Sequence, residues 1–136
     1  MDTHELRLFN WVLFVDKPYK IASLDRLSVT IYNRWVKPLA TPVTSCFIPA
    51  VNIEPIPLTE EWLLRFGCTK CGSVFSLPKS IEDKCVGDNG LHYVSMFFNN
   101  RLNRWMDCQT RVCVDFVHQF QNLVFINTGE ELEIKL

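Results

Sequence analysis

Several common chemistries are missing from this chain before any residue is placed. It has no G-x-x-x-x-G-K and no G-x-G-x-x-G, so neither backbone cradle for nucleotide phosphates is present. It has no H-E-x-x-H for a zinc-assisted hydrolase and no G-x-S-x-G nucleophile elbow. No apolar run approaches the ~20 residues that a membrane helix needs. The start, Met1-Asp2-Thr3-His4-Glu5, lacks the basic stretch and apolar run of a secretory signal. A chain that stays off membranes and in the cytoplasm is therefore expected, with its 6 cysteines reduced. A formal net charge of -1 and a pI near 6.3 remove the footprint on which generic nucleic-acid binding relies. Internal repeats, low-complexity tracts and flexible linkers are absent as well.

What remains is an ordinary globular balance of 48% hydrophobic and 21% charged residues, too apolar for disorder. The 136 residues are enough to bury one real core. One compact domain over 1–136 is expected, with a possible N-terminal β lobe at 1–54 and a C-terminal α+β lobe at 55–136. The 10 Phe and 4 Trp predict an aromatic core, with rings left over for a partner.

Apolar–polar alternation predicts strands over Asn10–Val15, Tyr19–Leu24 and Arg26–Trp35, with Asp16-Lys17-Pro18 as the first turn. Pro38 and Pro42 break the next stretch, a loop over Lys37–Ser45 that leads into a short apolar run at Cys46-Phe47-Ile48. After Pro55-Ile56-Pro57, Thr59 is placed to cap a helix, with Glu60 and Glu61 at its positive end. Leu58 and Leu63 form a hydrophobic staple across that cap, and Gly67 supplies the stop. Trp62, Leu63 and Phe66 share one face. Strands follow over Ser73–Leu77, His92–Phe98 and Leu102–Cys108, with turns at Asp88-Asn89-Gly90 and Asn99-Asn100. A further run, Arg111–Val114, precedes a second helix from Asp115 to Gly129. Its apolar side is read as Phe116, Val117, Phe120, Leu123 and Val124. Leu132–Leu136 alternates as a closing edge strand. The fold class is α+β: antiparallel sheet or a small-barrel-like N-terminal segment, with two helices packed on one side.

Three segments carry a resemblance. They are Glu5-Leu6-Arg7 with Asn10-Trp11-Val12, the run from Pro55 to Gly67, and Val117–Leu123 with Thr128–Leu132. In that order they resemble a group of small proteins, without an established activity, found in Bacteroidales genomes, their prophages and their phages. The resemblance implies an N-terminal small-barrel-like segment, a short helix, a β-rich middle and a closing helix. It also implies a phage or mobile-element origin and a bacterial host cell, and it brings no catalytic residues. Phe9 stands where the group has glycine, Cys68 where an aromatic is usual, and Lys37–Ala50 looks inserted.

Cys68-Thr69-Lys70-Cys71-Gly72 has half the spacing of a zinc-ribbon knuckle, in which a turn aims two thiolates at one ion. Cys85, His92, Cys108 and Cys113 are the candidates for the other half. Two small buried side chains are the plainer reading, so Cys68 and Cys71 stand as candidate zinc ligands and no cofactor is expected. His118 and Asn122 near Cys113 could suggest a thiol nucleophile and base, but no oxyanion donor or orienting group is identifiable. Asp83, Asp88 and Asn89 fit a plain turn better than a calcium loop. The pairs Glu60-Glu61 and Glu130-Glu131 fit helix-end electrostatics.

No enzymatic activity is expected. Surplus aromatics beside arginine make interface hot spots, which nominates Arg101, Arg104 and Trp105. His118, Asn122 and Phe125 are read as an outward-facing contact line on the second helix. The expectation is a phage- or mobile-element-encoded binding protein whose partner is a host protein. The specific form is an inhibitor of a host defence system, in the manner of an anti-CRISPR. Two alternatives stand beside it: nucleic-acid binding through Lys17, Lys20, Arg26 and Arg34, and a zinc-stabilised structural module.

Overall fold

In the computed structural model, which describes residues 5–24, 28–32, 45–49, 52–81 and 94–134, the alternating segments become antiparallel ladders. The chain divides into two compact units, Met1–Ile56 and Pro57–Leu136. The class is α+β, with one open sheet in each unit.

The first unit holds β1 (Trp11–Phe14), β2 (Lys17–Leu24), β3 (Ser28–Tyr32) and β4 (Ser45–Pro49), hydrogen-bonded in chain order. The first turn lies earlier than its composition suggests. Phe14 pairs with Lys17, so Val15 and Asp16 alone make the turn, both left-handed at φ 49° and 59°. Two successive positive φ values define a type I′ hairpin, the form whose twist matches the flanking strands. Lys17 and Pro18 belong to β2. Pro18 sits opposite Leu13, whose N–H and C=O both bond Glu54 on the other side of β1, so the missing proline N–H breaks no bond between β1 and β2. Val12 of β1 and Ile21 of β2 meet Leu6 and Ile53 in a core flanked by Phe14, Tyr19 and Leu24. Asn10, also buried, accepts from the Arg7 N–H through Oδ1 at 2.7 Å. Phe9 has φ 70°, a left-handed backbone conformation that favours glycine.

The second unit opens with α1 (Glu60–Arg65). Thr59 Oγ1 accepts from the Trp62 N–H at 3.3 Å, and Leu58 and Leu63 are both buried, as capping and staple require. The helix ends in a Schellman motif: Gly67 (φ 83°) donates to Leu64 O at 2.9 Å, and Cys68 donates to Leu63 O at 3.1 Å. Residues 79–81 are also helical. The sheet runs β5 (Thr69–Cys71), β6 (Val74–Ser76), β7 (Ser95–Asn99) and β8 (Arg104–Asp107), again in chain order.

The second helix, α2 (Val117–Thr128), starts later than Asp115. Asp115 has the right side chain for a cap, but Arg104 holds its carboxylate. Gln119 reaches back instead, its Oε1 accepting from the Asp115 and Phe116 N–H groups at 2.9 and 3.2 Å. Residues 115 and 116 meanwhile stay extended and pair with 57 and 58. Gly129 closes the helix at φ 73°, donating to Phe125 O. Trp62, Phe66 and Phe120 form a run of ring contacts at 5.8 and 6.1 Å that joins the two helices. Each such buried side chain contributes roughly 1.5–3 kcal/mol. Among the described residues, 132–134 are not strand, Arg111–Val114 makes only the single bridge Cys113–Met106, and no helix is long and apolar enough to cross a membrane. The expected turn at Asp88-Asn89-Gly90 lies outside the described residues.

Val15 is β-branched, left-handed and 73% exposed, so it contributes strain and little packing. Val15→Asn is expected to raise stability by about 1 kcal/mol, read as a higher urea midpoint at unchanged slope. An unchanged or lower midpoint would refute the turn assignment.

Candidate functional site

Cross-strand register sorts the second sheet into two faces. Lys70, Phe75, Met96, Phe98 and Trp105 lie on one, and Cys71, Val74, Phe97, Met106 and Arg104 on the other. Phe75 and Met96 are buried on the first face and Met106 on the second. Trp105 lies edge-on between Phe75 and Phe98, at 5.5 and 5.4 Å, and is half-buried. Towards the tip that cover ends: Phe98 is 38% exposed and Leu102 55%.

The tip is rigidly built. β7 and β8 are joined by residues 100–103, and the Asn99 side chain accepts from the Arg101 and Leu102 N–H groups at 3.0 and 3.2 Å. Asn103 completes the loop at φ 55°, a conformation asparagine tolerates better than most residues. At the opposite end of β8, buried Asp107 accepts from Ser95 N–H, Thr110 N–H and Thr110 Oγ1–H at 3.3, 3.0 and 2.7 Å. That carboxylate ties the 107–112 turn to β7. It is a structural clamp, although in the sequence it looks like no more than a charge interrupting three arginines.

Those arginines have separate fates. Arg104 grips Asp115 with both ends of its fork, Nε to Oδ1 at 2.8 Å and Nη2 to Oδ2 at 2.6 Å. This hydrogen bonding holds the Asp115 carboxyl below its ordinary range and raises Arg104. Arg104 is thus an internal tie, already satisfied. Arg111 lies over the Phe97 ring at 6.0 Å. Arg101 is exposed and has no carboxylate partner among the described residues.

The contact line expected on α2 is not outward-facing as a set. His118 is fully buried, its imidazole stacked on Phe116 at 5.8 Å and 8°. The buried side of the helix is Val117, His118, Phe120, Gln121 and Val124, rotated away from Phe116 and Leu123, which are half-buried. The extended Phe116 accounts for the shift, because its ring covers the imidazole from before the first turn. Asn122 is half-buried and Phe125 is 37% exposed, while Ile126, singled out by nothing in the pattern, is 80% exposed.

Cys68 and Cys71 have different surroundings. Cys68 occupies the buried residue of the Schellman motif, where an apolar side chain normally covers the helix end, whereas Cys71 is exposed at the far end of β5. Cys68 precedes β5 and Cys71 ends it, and the hairpin turn comes after both. Cys108 and Cys113 are half-buried, Cys85 and His92 lie outside the described residues, and among those described no group of three or more His, Cys, Asp or Glu residues could hold a metal ion. Of the basic residues proposed for nucleic acid, Lys17 is exposed and Lys20 sits over the Phe9 ring at 5.1 Å, while Arg26 and Arg34 lie outside the described residues. A pocket of about 520 Å³ near the ends of both helices is lined by Phe66, Ile81 and Gly129 with Glu130, Glu131 and Glu133.

No protein family, curated protein or solved structure matches this chain. The candidate site is therefore defined by its own residues alone.

Two measurements check this geometry. Because folding lowers the Asp115 pKa, the stability it contributes is present above the ordinary carboxylate range and is lost as pH falls through the lowered value. Wild type should lose stability below about pH 4 more steeply than Arg104→Met; equal acid slopes would remove the ion pair. Native thiol labelling mapped by mass spectrometry should modify Cys71 at once and Cys68 only in denaturant. Equal labelling, or joint protection on adding zinc, would restore the ligand pair.

Proposed function

We propose that this chain is a non-enzymatic binding protein that engages a protein partner through the tip of the β7–β8 hairpin. The observation that carries the reading is the exposure of Phe98 and Leu102 on a loop already braced by Asn99, beside an arginine with no carboxylate partner among the described residues. An apolar contact on a preshaped loop binds without first ordering its own backbone, which is what interface hot spots exploit. Support for a non-catalytic role comes from His118, which packs against Phe116 away from solvent. The phage or mobile-element setting implied by the resemblance makes a host defence effector, such as a CRISPR nuclease, the partner class to test first. In that setting the protein acts as an inhibitor in the host cytoplasm.

Nucleic acid is the weaker alternative. Trp105 is half-buried, in edge contact with Phe75 and Phe98, and few cations on this hairpin lack a carboxylate partner.

The test pairs capture with function. Wild type expressed in a CRISPR-active host should restore phage plaquing and co-purify with the effector. Leu102→Ser and Phe98→Ala should each lower the affinity for the captured effector more than ~10-fold. Unchanged plaquing with no effector recovered would sink the inhibitor reading, and full activity of both variants would sink the hairpin.

A further inference from the structure

We draw no further inference here: the strongest candidate, the pocket of about 520 Å³ near the ends of α1 and α2, is a group of three glutamates (Glu130, Glu131 and Glu133) over the buried Phe66 and Ile81, and nothing in the structure shows what occupies it.

Discussion

The short antiparallel contact between residues 57–58 and 115–116 is the constraint on which the second unit depends. Leu58 donates to Asp115 O, and Pro57 bridges Phe116, so the entries to α1 and α2 lie side by side although they are far apart in the chain. From that start the helices meet through Phe66 and Phe120, and Trp62 extends the aromatic contact along α1. The bridge also decides where α2 begins. Residues held in a β pairing cannot join a helix, so Asp115 and Phe116 remain extended and Gln119 takes over capping from a side chain already bound to Arg104.

Two consequences reach the candidate site. The Arg104–Asp115 fork links β8 to the entry of α2, with the Arg104 side chain still exposed. The extended Phe116 lays its ring on His118, converting the residue with the most obvious chemical potential on that helix into part of the interior. Arg101, touched by neither effect, is left as an outward cation of the hairpin.

Local signals were legible wherever the determinant lay within one turn or one helix. Thr59, the Leu58–Leu63 staple and Gly67 specify α1 through contacts a few residues apart, and Gly129 closes α2 in the same way. The alternation that marks β2, β3, β7 and β8 is equally local. The α+β class followed from those elements together. What escaped reading depends on partners distant in sequence. The apparent turn at Asp16-Lys17-Pro18 sits one step away because Leu13 bonds Glu54 and lets Pro18 lie in a strand. The exposed sides of α2 could not be read from periodicity, since Phe116 lies outside the helix yet covers part of it. Cys68 and Cys71 have the spacing of a metal knuckle, but Gly67 and the Schellman bonds assign Cys68 to the helix end. Of the nominated partner residues, Arg101 and Phe125 are exposed, Trp105 and Asn122 are half-buried, and Arg104 and His118 are engaged internally.

Asn99 carries a kinetic consequence. Its single side-chain oxygen holds two successive amides of the loop, so the tip backbone is braced from within the hairpin. On the proposed hairpin reading, a braced tip has no backbone ordering to complete before a partner docks. Changes in how well a partner fits such a tip then register as residence time, and the loop's own folding adds no delay to the meeting.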